Sequence, residues 1–165
     1  MKEWNQMKSQ STTVRKSERE LVTSRIINGP THLVFEAWTH PERFRQWWVP
    51  KSAPIALTNC QMDVRNGGTY RLTFSAGGQS ADFFGQYLEV TPFSRIVWTN
   101  EEGGKDAATI TTVTFEAAAG ATRVTVHDLY PSKEALDAAI SSESTGAMPE
   151  QLEQLDSFIL DPGSR

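Results

Sequence analysis

A carboxylate inside a strand-like run is the residue that most invites chemistry in this chain. Val124, Val126 and Asp128 alternate, and a period of two puts all three on one face, so Asp128 is expected to point inward beside two valines. An ionised carboxylate among apolar side chains is costly unless paired or protonated, which makes Asp128 an acid/base group, a ligand anchor, or a strand-end residue reaching water. By the same alternation His127 faces the other way, as a solvated surface histidine. Tyr70, Leu72 and Phe74 share one face of an earlier strand, and Val113 and Phe115 share one face of a later one. Trp38, Phe44, Trp47 and Trp48 crowd two short helical stretches. Neighbours on a helix cannot both face one core, so one of Trp47 and Trp48 is expected to line a pocket or its rim.

Other chemistries lack their residues. His32, His40, His127 and Cys60 show no i, i+4 pair and no ligand spacing, so no metal site is expected. Gly67-Gly68 and Gly77-Gly78 fall between strands, where they make turns and not phosphate cradles. No G-x-S-x-G elbow and no Cys/His pairing is present, and no cofactor is expected. Arg65, Arg71 and Arg95 can orient an anionic headgroup at a cavity mouth, with solvated strand-edge arginines as the plainer reading.

The chain that must position these residues has 165 of them, 38% hydrophobic, with five Trp and eight Phe. That is enough apolar area for one domain with a sizeable core. A formal net charge of −4 with both signs interspersed offers no basic field for nucleic acid or an anionic membrane. Cys60 is the only cysteine, which excludes an internal disulfide and suits a reducing, cytoplasmic compartment. The first twenty residues carry no apolar h-region, and no stretch approaches the ~18 apolar residues of a membrane span.

Residues 1–17 are polar and are expected to form a disordered N-terminal tail. A β-branched run from Glu20 to Ile27 predicts a strand that Asn28-Gly29-Pro30 stops. Pro30 opens a short helix, and Thr39 with Glu42 reads as a capping box for a second. From Ile55 to Leu129, glycine-punctuated alternation predicts an antiparallel meander of about six strands. Ser132 can cap a helix, which Gly146 interrupts. Met148, Leu152, Leu155 and Ile159 then recur at helical spacing, with Gln151, Glu153, Gln154 and Asp156 expected outward. The single domain is expected over 18–160, with a tail at 161–165.

The run Ala37-Trp38-Thr39-His40-Pro41-Glu42-Arg43-Phe44-Arg45-Gln46-Trp47-Trp48, and then Met62-Asp63-Val64-Arg65-Asn66-Gly67-Gly68-Thr69-Tyr70-Arg71, resemble the family related to activators of the heat-shock protein 90 ATPase. Gly85-Gln86-Tyr87-Leu88-Glu89-Val90, Arg95-Ile96-Val97-Trp98 and Tyr130-Pro131-Ser132-Lys133-Glu134-Ala135 extend the likeness over roughly residues 18 to 160. The resemblance implies an α+β helix-grip fold, START-like and Bet v 1-like: an antiparallel sheet of about seven strands wrapped around a long C-terminal helix, with two short helices after strand one. The wider superfamily it implies includes lipid-transfer domains and polyketide cyclases that use a cavity between sheet and helix. Family likeness carries fold further than activity.

The expected function is therefore the binding of an apolar or aromatic small molecule in a cavity lined by Trp48, Tyr70, Phe74, Trp98, Phe115, Asp128 and Met148. One alternative is a cyclase- or hydrolase-like enzyme in which Asp128 or Tyr70 moves protons. Another is a stress-related interaction domain, with a chaperone as partner by family analogy alone.

Overall fold

The computed structural model describes residues 10–142 and 144–161. Eight strands form one antiparallel sheet: β1 Thr12–Arg15, β2 Glu20–Ile27, β3 Ala56–Met62, β4 Thr69–Ala76, β5 Gln79–Thr91, β6 Arg95–Asn100, β7 Thr109–Ala118 and β8 Ala121–Leu129. Their spatial order is β1-β2-β8-β7-β6-β5-β4-β3, so β3 to β8 are the expected meander and β2 closes onto its last strand. Two short helices, α1 Thr31–Thr39 and α2 Pro41–Phe44, follow β2; α3 Lys133–Ser141 and α4 Ala147–Leu160 end the fold.

The sheet has one strand more than expected, and that strand lies inside the segment expected to be a tail. Residues 12–15 pair with β2 in register Thr12↔Ser24 to Arg15↔Leu21, although all four side chains are exposed. An edge strand can be held by its backbone ladder without burying anything, so a test based on apolar content overlooks it. Hydroxyls reinforce the pairing at Thr12–Ser24 and Thr13–Thr23, and Arg15 reaches Asp137 of α3 at 2.7 Å. The first nine residues of the expected tail, and 162–165 of the C-terminal one, lie outside the described residues.

The curvature that makes room for a site comes from β5. Its thirteen residues serve two neighbours: Gln79 to Gln86 pair with β4, and Tyr87 to Thr91 pair with β6. A bulge between Tyr87 and Glu89 bends the strand where the pairing changes hands. Gly85 sits at that bend because a Cβ there would strike the Thr99 carbonyl oxygen.

Helix α4 lies against the concave face near β2. Leu152, Leu155 and Ile159 are buried, as the helical spacing requires, and Gly29 exists because any side chain would collide with Ile159. Two polar residues expected outward are instead buried, at 6% exposure for Gln151 and 5% for Asp156. Each has found partners far away in sequence. Gln151 donates to the Trp48 carbonyl at 2.6 Å, while Asp156 accepts from the Asn28 backbone N–H at 2.8 Å and its side-chain amide at 3.2 Å. Gln154, half-buried, donates to the carbonyls of Trp47 and Val49, both at 2.8 Å.

The expected capping box at Thr39 does not form. Thr39 is the last residue of α1, and its hydroxyl donates back to the Phe35 carbonyl at 3.2 Å. His40 takes the N-cap place of α2 with no side-chain cap, and Pro41 opens the helix. Ser132 does cap α3, accepting from the Ala135 N–H at 3.0 Å.

Candidate functional site

The concave face of the sheet is filled at one end and hollow at the other. At the filled end α1 covers β7 and β8: Phe35 stacks edge-on against Phe115 at 5.2 Å, and Trp38 meets Phe115 at 6.2 Å. Phe115 is thereby buried at 4% exposure in the core and does not line the cavity, contrary to the sequence expectation. Alternation correctly assigns its face; it does not say how far along the strand α1 reaches.

Beyond Trp38 the space opens into a cavity of about 760 Å³ between β4 to β8 and the start of α4. The structure brings Trp48, Tyr70, Phe74, Trp98, Asp128 and Met148 together around it, with Trp38, Phe44 and Tyr87 completing the aromatic wall. The two adjacent tryptophans divide their work. Trp47 is fully buried, its indole N–H donating to the Ala37 carbonyl at 3.0 Å, while Trp48 stacks on Phe44 at 4.6 Å and faces the cavity. The exposed tip of the β4–β5 hairpin, including Gln79, Ser80 and Phe83, forms the rim.

Asn100, Thr109, Thr111 and Asp128 are gathered on one patch of the sheet within the cavity wall. Cross-strand register sets Asp128 opposite Thr111, Thr111 opposite Trp98 and Trp98 opposite Tyr87. One step along, Asn100 is opposite Thr109. Asn100 Nδ2 donates to Thr111 Oγ1 at 3.0 Å, and Thr111 Oγ1 donates to Asp128 Oδ1 at 2.6 Å. Tyr70 donates to the Thr99 carbonyl at 2.7 Å. Asp128 does point inward, and burial pushes its carboxyl well above the ordinary range; the Thr111 hydroxyl and the charge of His127 only partly oppose this. Burial also raises the Tyr70 phenol far up and the Tyr130 phenol to about 12, with the negative charge of Asp128 adding to the latter.

Asn100, Thr111 and Tyr130 were not singled out in the sequence, though alternation alone aligns Asn100 with Trp98, Thr111 with Val113 and Tyr130 with Asp128. The three arginines considered for a headgroup are elsewhere. Arg65, Arg71 and Arg95 pair with Asp63, Asp82 and Glu89 at 2.9, 2.7 and 3.2 Å, and none lines the cavity. His127 lies on the outer face against Glu20 at 2.6 Å. Cys60 is half-buried, and desolvation raises its thiol above the ordinary value. Among the described residues, no group of three or more His, Cys, Asp or Glu side chains is placed to hold a metal. No helix among them is long and apolar enough to cross a membrane.

A single antiparallel sheet curved over a C-terminal helix, with a cavity between them, defines an α+β domain of the helix-grip kind. The sequence over residues 28–159 matches the family described as activator of Hsp90 ATPase homolog 1-like protein, and the chain belongs to that family. No curated protein matches it. Among solved structures, a Rhodobacter sphaeroides protein superposes with TM-score 0.82 at 20% identity, covering 92% of this chain and 100% of that one. A Nitrosomonas europaea protein gives 0.77 at 22% identity, over 86% and 94%. An AHSA1-like protein from Aeromonas hydrophila gives 0.70 at 19%, over 87% and 96%. At such identities the likeness is one of fold.

Proposed function

We propose that this protein holds an apolar or aromatic small molecule in the cavity between its sheet and α4. The observation that carries the reading is the cavity itself. Sheet and helices usually pack closely against each other, yet here a cleft of about 760 Å³, open at the β4–β5 rim, is left between them beside a tightly packed aromatic core. Its size falls within the ~300–1,000 Å³ of small-molecule sites, and its wall combines rings with a few convergent polar groups. A cytoplasmic setting is part of the proposal, supported by the single cysteine.

Mass spectrometry of small molecules retained through native purification tests the reading directly. Ligands should also quench or shift the fluorescence of Trp48 and Trp98, and Trp48→Ala or Phe74→Ala should weaken binding by roughly tenfold to a hundredfold through lost contact area. A broad ligand panel with no saturable change would refute it. In that event a chaperone-directed role suggested by the family's name would lead, with stimulation of the chaperone's ATPase as its assay.

A second reading, a cyclase- or hydrolase-like enzyme, draws on the perturbed Asp128 carboxyl facing the cavity. It requires a pH–rate profile set by a raised carboxylate and lost in Asp128→Asn. Tyr70 is poorly suited to move protons, because its hydroxyl is committed to the Thr99 carbonyl and burial holds it neutral.

A further inference from the structure

We infer that the cavity selects a cationic ligand, an aromatic or alkyl amine whose ammonium group sits against Asp128 while its apolar body lies among the tryptophans. The inference rests on the cavity being a ligand site and names the class of molecule it takes. Its basis is the charge inventory of the wall. Among the described residues that line it there is no Lys, Arg or His, and the ionisable carboxylates are Asp128, half-buried on the sheet, and Glu102, exposed at the rim. An anionic amphiphile would meet two like charges and no counter-charge.

The hydrogen bonds around Asp128 run one way. Asn100 donates to Thr111 and Thr111 donates to Asp128 Oδ1, so the carboxylate is the terminal acceptor of the chain. Oδ2 receives no donor among the described residues. The basic side chain next to it in sequence, His127, is on the opposite face of the sheet and paired with Glu20. A half-buried carboxylate facing apolar rings without a cation is poorly solvated, and a ligand ammonium can supply both a counter-charge and a further donor. The upward shift of its pKa has the same origin.

The rest of the wall suits a cation equally well. Trp38, Trp48 and Trp98 present aromatic rings around the same space, with Trp38 at 6.0 Å from Trp48 and 5.9 Å from Trp98. Indole faces attract ammonium groups. The start of α4 borders the cavity and carries the positive end of a helix dipole, but Glu150 occupies its first turn, bound to Ser52 Oγ at 2.6 Å.

The test compares three molecules of one shape: naphthylmethylamine, naphthylmethanol and naphthoate, titrated against the intact protein at neutral pH by calorimetry and tryptophan fluorescence. The amine should bind about tenfold tighter than the alcohol, and naphthoate weakest. Asp128→Asn should bring amine and alcohol within about twofold, while Glu102→Gln at the rim leaves most of the preference. Quaternary naphthylmethyl-trimethylammonium, which has charge but no N–H, should also outbind the alcohol, and this wild-type comparison decides the matter should the Asn variant not fold. Saturable binding of the alcohol as tight as that of the amine, or an amine preference unchanged in a folded Asp128→Asn protein, overturns the inference and leaves the cavity reading standing. Binding of none of the molecules overturns both.

Discussion

Asp156→Leu should destabilise the fold far more than its position on the polar side of a terminal helix suggests. Asp156 accepts from the Asn28 backbone and side chain and stands 3.5 Å from the Arg25 guanidinium, with the two ionic side chains only 7% and 11% exposed. Arg25 Nε is already buried without a partner, so removal of the carboxylate leaves a guanidinium in a poorly hydrated place with even less compensation. Breaking a buried pair from one side costs ~3–5 kcal/mol, and the lost charge-assisted bond from Asn28 accounts for ~1.5–3 of that. For a chain of this length each kcal/mol lowers the melting temperature by about 2–4 °C, so the transition should fall by roughly 6–20 °C. Arg25→Met combined with Asp156→Leu should recover only the part owed to the stranded guanidinium, ~1.5–2 kcal/mol, because the bonds from Asn28 to the carboxylate stay lost. Urea unfolding of wild type, both single variants and the double variant closes the cycle. A loss under ~1 kcal/mol for Asp156→Leu, or a double variant no better than the single, would refute the assigned role of the pair.

Three further outcomes are expected. Leu155→Ala, at a fully buried position on α4, should cost ~2–5 kcal/mol in denaturant unfolding; a loss under ~0.5 kcal/mol would mean the helix does not pack as described. Because burial raises the Asp128 carboxyl in the folded state, the native state binds the proton more tightly than the unfolded chain, and Asp128 lowers stability as pH rises from its unfolded pKa through its folded one. Asp128→Asn should therefore equal or exceed the wild type in stability near neutral pH and lose that advantage in acid, as melting temperatures across pH would report; a constant deficit at all pH values contradicts the argument. Deletion of residues 1–17 should cost ~1–3 kcal/mol more than deletion of residues 1–9, because only the longer truncation removes β1's ladder. Equal melting temperatures for the two truncations would show that β1 contributes nothing.

Period and punctuation made most of the sheet legible. The β2 run with its Asn28-Gly29-Pro30 stop and the alternation placing Tyr70, Phe74 and Asp128 on the concave face are local signals, and local signals survive in a single sequence. What was illegible depends on partners remote along the chain. Gln151 and Asp156 look like solvated helix residues until the Trp48 carbonyl, 103 residues away, and Asn28, 128 away, are set beside them. Phe115 fails for a related reason: its face is a strand property, but its depth depends on where α1 ends above it. β1 escaped because an edge strand can form with no apolar side at all.

The side chains along one flank of α4 have a kinetic consequence. Gln151 and Gln154 hold the carbonyls of Trp47, Trp48 and Val49, Gln154 accepts from the Lys51 N–H, and Glu150 accepts from Ser52. The segment bearing Trp48 is thus suspended from the helix, and its backbone shares the helix's fate. Were the first two turns of α4 to unravel transiently, the tryptophan wall and the helical wall of the cavity would let go together, as a single cooperative opening. The amides of Trp47, Trp48, Val49, Lys51 and Ser52 would then exchange with deuterium in step with those of the first turns of α4.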